Sequence, residues 1–444
     1  MKVHKILDTT GKDFGRTQGL LRIRRREFMK ILWLCNMPLP FVSEYFKLPV
    51  IPIGGWLTGI FNGIKGNSSI RLGIIFPAKT NGDHILKGEV KGVSCFGFPR
   101  TGKSENRYEP RYEKYFREIL NEFNPDIVHI FGTEFCHSLA MVKTFNIPEQ
   151  TIISIQGLVS IYAEHFYSDL PHYLRYKNTF RTLIERDNLF LQHRGLLLRG
   201  NMEKKALQGC NHIIGRTDWD KACSEIIASK AQYHFCNETL RESFYKEFWK
   251  LTDCEKHSIF TSQYQNPVKG FYYLLKALPI VLKRFPDTKI YTTGINPFSI
   301  PWYKINVYQK YIRKLIKKLS LENCIFFLGK LDEEKMCQQY LKCNVFVSCS
   351  SIENSPNSVG EALLLGVPTI SSDVGGVKNL LRHNFDGFIY QHNAPYMLAY
   401  YISQIFENDS IAVEFSHNSR ESSSIIYDNK LNAENLIHIY NNLF

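Results

Sequence analysis

The residues of this sequence most suggestive of chemistry are two glutamates, Glu353 and Glu361, which stand eight residues apart in SSIENSPNSVGEALLLGVPTI (350–370). A helix that begins between them would turn free N–H groups toward an anion such as a phosphate. A carboxylate further along this helix could accept hydrogen bonds from two neighbouring hydroxyl groups, as a ribose offers. Because such a spacing can arise by coincidence, the surrounding elements decide its meaning.

The predicted elements around the two glutamates fit a ligand site. The apolar run CNVFVSCS (343–350) is typical of a buried strand, which places Glu353 in the loop at its carboxyl end. Ser355 is predicted as the N-cap of the next helix, with Pro356 at its first position. This helix should end at Gly366, before a Val-Pro pair.

The rest of the chain alternates short apolar runs with longer amphipathic ones, a pattern typical of βαβ units and parallel sheets. Twelve strands are predicted, at 29–36, 70–78, 92–98, 126–132, 151–157, 212–217, 257–263, 288–294, 323–329, 343–350, 367–374 and 387–391. They form an α/β protein with two Rossmann-like, doubly wound domains over 29–245 and 246–428, a basic extension over 1–28 and a final helix over 429–444. Ligands of such sheets bind at the carboxyl ends of the strands, here in a cleft between the domains.

Composition narrows the class of protein. The chain has 444 residues, a net charge of +13 and eleven cysteines with no Cys-x-x-Cys pair, which favours reduced thiols over a disulfide or zinc framework. Neither an apolar run of about 18 residues nor a secretory leader is recognisable. We therefore expect a cytoplasmic protein whose basic surface favours anionic partners.

Several longer motifs resemble one family. NPVKGFYYLLKALPIVLKRFPDTKIYTTG (266–294), FLGKLDEEK (327–335), VFVSCSSIENSPNSVGEALLLGVPTISSDVGG (345–376) and FDGFIY (385–390) resemble retaining glycosyltransferases of family 4, which have the GT-B fold. GGWLTGI (54–60) and NPDIVHIFGTE (124–134) are similar to the amino-terminal half of these enzymes. Within the family, the sequence looks most like the members that build capsules and exopolysaccharides.

The resemblance implies a nucleotide-sugar donor held mainly by the second domain. Glu361 would hold the ribose hydroxyls and Lys269 the diphosphate. Glu353, with the donor-binding residues Asn354, Ser355, Asn357 and Ser358, would hold the sugar and its distal phosphate. Gly54 and Gly55 would bring a backbone turn of the first domain close to the diphosphate. Lys269 and Glu353 are thus the predicted catalytic residues, with Glu353 acting through position and charge rather than as a nucleophile.

The sequence departs from the family pattern in two places. Many members have an arginine shortly before the Lys-Gly pair, where this chain has Gln263 and its neighbours, so one diphosphate cation is missing or comes from elsewhere. Many also have His-Gly where this chain has Gln156-Gly157. Gln156, His137 and Arg216 are the acceptor-side candidates, with an ion pair as the alternative role of Arg216. His129, inside an apolar strand, is interpreted as structural.

An Asp-x-Asp pair at Asp218 and Asp220 could instead hold a divalent metal that bridges a diphosphate. That motif belongs to glycosyltransferases with a different fold, so we expect no required metal and no other cofactor. The leading hypothesis is a retaining hexosyltransferase of surface polysaccharide biosynthesis that acts on a glycan or lipid-linked acceptor, peripheral to the inner face of an anionic membrane. The alternative is a non-catalytic protein that binds a nucleotide-sugar or a polyanion on the same scaffold. No nucleic-acid-reading motif is recognised.

Overall fold

The structure of the protein, a computed structural model, describes residues 28–49, 54–80, 82–100 and 105–444. Two parallel-sheet α/β domains follow one another along the chain, as predicted. The basic extension predicted over 1–28 lies, except for Phe28, outside the described residues. Among the described residues, no helix is both long and apolar enough to cross a membrane. All eleven cysteines are described and all are free thiols.

The first domain is built on an eight-stranded sheet in the order β3-β4-β2-β1-β5-β6-β7-β8. Its strands are β1 (Met29–Leu34), β2 (Ile70–Ala78), β3 (Leu86–Val90), β4 (Val93–Pro99), β5 (Ile127–Phe131), β6 (Thr151–Ser154), β7 (His212–Gly215) and β8 (Gln232–Phe235). All pairs are parallel except β3 with β4. Alternate side chains of β1 enter different cores, Ile31 and Trp33 on one face and Leu32 and Leu34 on the other.

Helices cover both faces of this sheet, as a doubly wound fold requires. They are α1 (Pro40–Tyr45), α2 (Gly55–Ile64), α3 (Arg111–Phe123), α4 (Cys136–Phe145), α5 (Val159–His165), α6 (Phe180–Glu185), α7 (Leu189–Leu207) and α8 (Asp218–Ile227). The short helix α9 (Ser243–Lys246) lies in the connection to the second domain.

The second domain contains a six-stranded parallel sheet in the order β11-β10-β9-β12-β13-β14. Its strands are β9 (Glu255–Thr261), β10 (Lys289–Thr292), β11 (Ile325–Phe327), β12 (Cys343–Ser348), β13 (Thr369–Ser372) and β14 (Phe388–Tyr390). Its helices are α10 (Phe271–Leu282), α11 (Val307–Lys318), α12 (Glu333–Lys342), α13 (Asn357–Leu365), α14 (Pro395–Glu407) and α15 (Asp409–Ile426).

The last helix, α16 (Asn429–Leu443), returns to the first domain. It packs against α2, and its Leu436, Ile439 and Tyr440 belong to the core of that domain. The Tyr440 hydroxyl accepts a hydrogen bond of 2.9 Å from Trp33 Nε1 and lies 2.6 Å from His129 Nδ1. The helix predicted over 429–444 therefore forms part of the first domain's core.

The domains also share apolar packing. Phe166, Leu170, Leu174 and Leu189 of the first domain are buried in the core cluster of the second domain. Because this packing ties the two sheets together, loops at the carboxyl ends of β6, β7, β9, β10, β11 and β12 line one common cavity. The cleft predicted between the domains is therefore present.

Candidate active site

A cavity of about 700 Å³ lies between the two domains and contains most of the predicted site residues. Among the residues that line it are Gly54, Gly55, Trp56, Gln156 and Arg216 of the first domain, and Gln263, Lys269, Glu353, Ser355, Asn357, Ser358 and Glu361 of the second. The structure thus brings the donor-side and acceptor-side candidates together, with the exceptions of Asn354 and His137.

Lys269 and Glu353 meet in this cavity as an ion pair, with Lys269 Nζ 2.5 Å from Glu353 Oε1. The same carboxylate oxygen accepts a hydrogen bond of 2.6 Å from Ser350 Oγ. The two residues come from loops after different strands, β9 and β12.

Two glycines allow the loops that follow β9, β12 and β13 to pack closely around this pair. Gly270 has a φ of +66°, and a Cβ there would lie 1.9 Å from the carbonyl oxygen of Cys349. Gly375 has a φ of +51°, and its Cβ would lie 1.8 Å from the carbonyl oxygen of Glu353. A side chain at either position would displace the ion pair, because both the backbone conformation and the space require glycine.

The helix α13 begins at the cavity, but one residue later than predicted. Pro356, not Ser355, occupies the N-cap, and no side chain caps the helix. Among the described residues, none accepts a hydrogen bond from the N–H of Asn357 or of Ser358, and both residues line the cavity. The prediction of Ser355 as the cap was wrong, and the first turn consequently presents two free N–H groups, which favour an anion.

Glu361 lies inside α13 and is bound by an arginine that the sequence did not indicate. Arg241 Nη2 is 2.7 Å and Nε is 2.8 Å from Glu361 Oε1, and the guanidinium also covers the ring of Phe244. Burial raises the pKa of Glu361, and the positive charge of Arg241 opposes this shift. Arg241 lies in the connection between the domains, outside any motif. Apart from its positive charge, nothing in the sequence indicates that it could replace the arginine that many family members have before the Lys-Gly pair.

The glycine pair of the first domain borders the same arginine. Gly54 has a φ of +83° before α2, and a Cβ on Gly55 would lie 2.2 Å from Arg241 Cγ. Gly55 and Arg241 also line a second, larger groove of about 960 Å³ between α2 and α16. Arg241 therefore lines both cavities.

On the acceptor side, Arg216 faces the cavity and forms an ion pair with Glu238 at the same time. Gln156 Nε2 donates a hydrogen bond of 2.6 Å to the same Glu238 oxygen. Burial raises the pKa of Glu238, and Arg216 opposes the shift. The ion pair that the sequence left open as an alternative is present.

His137 and Asn354 are used elsewhere. His137 is buried, does not line the cavity, and has Nε2 2.8 Å from Asn36 Oδ1; burial lowers its pKa to about 3. Asn354 accepts a hydrogen bond of 2.8 Å from Thr217 Oγ1, and its N–H donates to the Tyr162 hydroxyl at 3.0 Å. Asn354 thus makes a contact between the domains and does not line the cavity.

His129 is structural, as interpreted from the sequence. Its Nε2 lies 2.7 Å from Ser154 Oγ, and burial lowers its pKa to about 3.

The Asp-x-Asp pair serves the start of α8. Asp220 closes a capping box with Thr217 and accepts a hydrogen bond of 2.6 Å from the Tyr233 hydroxyl. Asp218 Oδ2 accepts one of 3.0 Å from Asn379 Nδ2. Across 28–49, 54–80, 82–100 and 105–444 there is no group of three or more His, Cys, Asp or Glu residues that could hold a metal.

Comparisons with known proteins agree with this architecture. Residues 246–422 match the family of glycosyl transferases group 1. A curated relative, an uncharacterised glycosyltransferase of Haemophilus influenzae, is 24% identical over 172 residues, which cover 38% of this chain and 45% of that protein. The match therefore spans less than half the length of this relative.

Solved structures match almost the whole chain. Sucrose-phosphate synthase from Thermosynechococcus elongatus superposes with a TM-score of 0.66 at 15% identity, over 94% of this chain and 99% of that one. Anabaena HepE in complex with UDP-glucose superposes with a TM-score of 0.64 at 16% identity, over 93% and 100%. The chain thus has the GT-B fold, and its second domain carries the match to glycosyl transferases group 1.

Proposed function

We propose that this protein is a glycosyltransferase that moves a sugar from a nucleotide-sugar donor to a hydroxyl group of a glycan or lipid-linked acceptor. The observation that carries the proposal is the shared cavity of about 700 Å³. One cavity contains an ion-paired lysine and two free helix N–H groups, which are suited to the oxygens of a diphosphate. It also contains a buried carboxylate, which is suited to the hydroxyl groups of a ribose.

These groups fit a donor whose ribose lies at Glu361 and whose sugar lies at Glu353. Glu361 accepts hydrogen bonds from the ribose hydroxyls, while Lys269 and the N–H groups of Asn357 and Ser358 bind the diphosphate. Glu353 then faces the sugar hydroxyls. Since Lys269 pairs with Glu353 before the donor arrives, the donor exchanges this contact for one between Lys269 and phosphate, and no positive charge is left unpaired at any stage.

In the reaction, the acceptor oxygen forms a bond to the anomeric carbon as the bond from that carbon to the diphosphate oxygen breaks. The acceptor proton passes to the departing diphosphate, which carries away the bonding electron pair. The positive charge of Lys269 and the N–H groups of α13 stabilise the negative charge that develops on the diphosphate. Because the acceptor attacks from the face that the diphosphate leaves, this route retains the anomeric configuration, as in the family 4 enzymes that the motifs resemble, and needs no nucleophilic side chain.

The finer class of the enzyme follows from the motif resemblance. We propose a family 4 hexosyltransferase of capsule or exopolysaccharide biosynthesis, acting at the cytoplasmic face of the membrane. The match of the second domain to glycosyl transferases group 1 supports the transfer chemistry. The UDP-glucose bound to the GT-B neighbour from Anabaena makes UDP-sugars the first donors to test.

No divalent metal takes part in this proposal, because a lysine and helix N–H groups stabilise the leaving group. We expect turnover to be the same in EDTA as in added Mg²⁺ or Mn²⁺. A rate that falls at least tenfold in EDTA and returns with Mg²⁺ would contradict this part of the proposal.

The test of the function is a donor screen. The full-length protein is incubated with UDP-, GDP- and ADP-sugars, with and without a membrane extract that supplies acceptor, and release of the nucleoside diphosphate is measured. We expect release from one nucleotide class, stimulated by acceptor. A donor that binds in a thermal-shift assay yet releases no nucleotide with any acceptor would favour the alternative, a non-catalytic nucleotide-sugar-binding protein.

A further inference from the structure

The segment from His172 to Gly200 has an unusual mixture of side chains. It contains six arginines or lysines and only two carboxylates, interleaved with tyrosine, phenylalanine and leucine. In an ordinary surface helix the apolar side chains face the core and the charged ones face water. The structure can therefore decide which of these apolar residues the fold uses.

Only part of the apolar set is used by the fold. Leu174 and Leu189 are buried in the core that the two domains share. The neighbouring side chains point outward: Tyr173 is 60% exposed and Tyr176 67%. The fold is complete without these outer side chains, so their apolar character needs another explanation.

In helix α6 the apolar side chains face outward and a polar side chain faces inward. Phe180, Leu183 and Ile184 stand at positions i, i+3 and i+4, which form one face of a helix. All three are exposed, Leu183 by 62% and Ile184 by 63%, while the polar Thr182 is buried and caps the helix with Thr179. The apolar face of this helix is directed away from the protein.

The second domain extends this surface. Trp302 is 69% exposed, and its ring lies 5.5 Å from that of Phe180. We define the apolar patch as Tyr173, Tyr176, Phe180, Leu183, Ile184 and Trp302. Exposed apolar side chains that adjoin, as those of α6 and Trp302 do, mark an interaction site, and aromatic side chains with one polar end are typical of membrane interfaces.

Charge around the apolar patch favours an anionic partner. Lys177, Arg186, Arg194 and Lys304 are exposed near it in sequence. Lys177 Nζ lies 5.4 Å from the centre of the Tyr173 ring, and Lys304 Nζ lies 5.8 Å from that of Tyr303. Cations that flank an exposed aromatic surface are suited to phospholipid headgroups above a layer of acyl chains.

A cavity beside α7 adjoins the candidate active site. The helix α7 starts beside the patch, and its Gln192, Leu196 and Arg199 line a cavity of about 500 Å³. That cavity shares Gln263 and Lys269 with the donor cavity. The Nε atom of Arg199 is buried there without a hydrogen-bond partner among the residues that the structure describes.

From these observations we infer that the apolar patch docks the protein on an anionic phospholipid bilayer, with α6 and Trp302 lying in the headgroup region. Membrane docking is a property separate from glycosyl transfer. Its position deepens the proposed function, because a membrane-anchored acceptor would enter through the cavity beside α7 and meet the donor at Lys269.

The test is co-sedimentation of the full-length protein with lipid vesicles. One set contains phosphatidylcholine alone and the other contains phosphatidylcholine and phosphatidylglycerol in equal parts. We expect binding to the anionic vesicles that weakens as salt is added. The double substitution Leu183→Ser with Ile184→Ser should reduce the binding constant at least about tenfold, because two large aliphatic side chains no longer enter the bilayer.

Ile226→Ser provides the matched control. Ile226 is 85% exposed at the end of α8, next to the carboxyl end of α7, where Gln208 bonds to Ile227. Since α7 has 19 residues and spans about 28 Å, this position lies far from the patch. We expect this variant to bind vesicles like the unaltered protein. An equal loss of binding in both variants would overturn the proposal.

Trp302 offers a direct probe. It is far more exposed than Trp33 and Trp249, which are buried, and than the half-buried Trp56 and Trp219. We expect a blue shift of tryptophan emission on anionic vesicles that Trp302→Phe abolishes. A protein that stays in the supernatant with both vesicle types, or a dimer that Leu183→Ser with Ile184→Ser dissociates without any vesicle binding, would contradict membrane docking.

The same variants separate this inference from the proposed function. Leu183 and Ile184 do not line the donor cavity, so nucleotide binding by thermal shift should be unchanged in the double variant. Lost vesicle binding with intact nucleotide binding supports the docking surface. Vesicle binding by a protein that binds no nucleotide would support docking and reject the enzyme.

Discussion

Two ion pairs border the same cavity and differ in how much of their charge is left for a ligand. Lys269 is 26% exposed and pairs with Glu353 through a single contact, whereas Arg216 and Glu238 are 7% and 10% exposed. Gln156 also binds Glu238, and the backbone carbonyl of Ile155 accepts a hydrogen bond of 3.4 Å from Arg216. The first pair can open toward a ligand, while the second forms part of the wall.

The backbone around each pair explains the difference. The loop of Lys269 approaches the backbone after β12, and the loop after β13 approaches Glu353, only because Gly270 and Gly375 have no side chains. The Arg216 pair is buried and shares hydrogen bonds with Gln156 and the backbone of Ile155, so its removal should affect the fold more than the chemistry. We therefore expect substitutions at Lys269 and Glu353 to lower activity, and substitutions at Arg216 and Glu238 to lower stability.

The largest effect is expected for Lys269→Ala. Removal of a cation from a developing diphosphate charge should lower kcat/KM for the donor by about a hundred- to a thousandfold. Nucleotide release measures it, and Lys378→Ala is the control, because Lys378 is an exposed, ion-paired lysine of the same domain. Equal activity in the two variants would show that the cavity binds the donor in another way.

Arg216→Met should act mainly on stability. It leaves the buried Glu238 carboxylate without its cation, which costs about 3–5 kcal/mol in the free energy of unfolding. Urea denaturation followed by circular dichroism measures this loss, with the exposed, ion-paired Arg284→Met as the control.

The pH dependence of that loss has a definite sign. Burial already raises the pKa of Glu238, and without Arg216 the pKa rises further. The folded state then holds a proton that the unfolded state releases, so stability falls as the pH increases above the unfolded pKa of about 4.3. A variant as stable as the unaltered protein at all pH values, but inactive, would make Arg216 a ligand-binding residue instead.

A smaller effect is expected for Arg241→Ala. Arg241 orients Glu361 through a hydrogen bond from Nε and an ion-pair contact from Nη2, so its loss should weaken nucleoside diphosphate binding about tenfold, or about 1.4 kcal/mol. Isothermal titration measures the affinity. Arg241→Lys should recover part of it, because one charged hydrogen bond to Glu361 is kept; tighter binding in Arg241→Ala would mean that this ion pair competes with the ligand.

The smallest effect is expected for His137→Gln. Because His137 is buried away from the cavity and burial lowers its pKa to about 3, it does not titrate between about pH 6 and pH 8. The substitution should change kcat/KM less than about twofold, and the pH profile should keep its shape. Loss of an acidic limb from the profile in a folded variant would restore His137 as an acceptor-side base.

Much of the fold could be predicted because buried strands have strong apolar patterns. All twelve predicted strands are present, including β12 and the loop that holds Glu353. The two strands that were missed, β3 and β8, are edge strands without a fully buried face. Their short, half-exposed sequences resemble loops, since a single covered face leaves little apolar signal.

Residues that line the cavity were predictable where they lie in recognisable motifs and not where a residue outside any motif reaches the cavity. Lys269, Glu353 and Glu361 lie in motifs, whereas Arg241 reaches Glu361 from 120 residues away. The sequence likewise does not reveal that the loop residue Asn354 binds Thr217 of the other domain. The contacts of Arg241 and Asn354 depend on the path of the connection between the domains and on how the two domains pack.

The central claim is that the nucleotide binds between the domains, at the first turn of α13. Hydrogen exchange of the full-length protein with and without the nucleoside diphosphate chosen in the donor screen tests it directly. We predict protection at Pro267–Gly270 and Asn357–Glu361, where the free N–H groups and Lys269 lie. Protection confined to the groove between α2 and α16, around Asn429–Ile437, would contradict it.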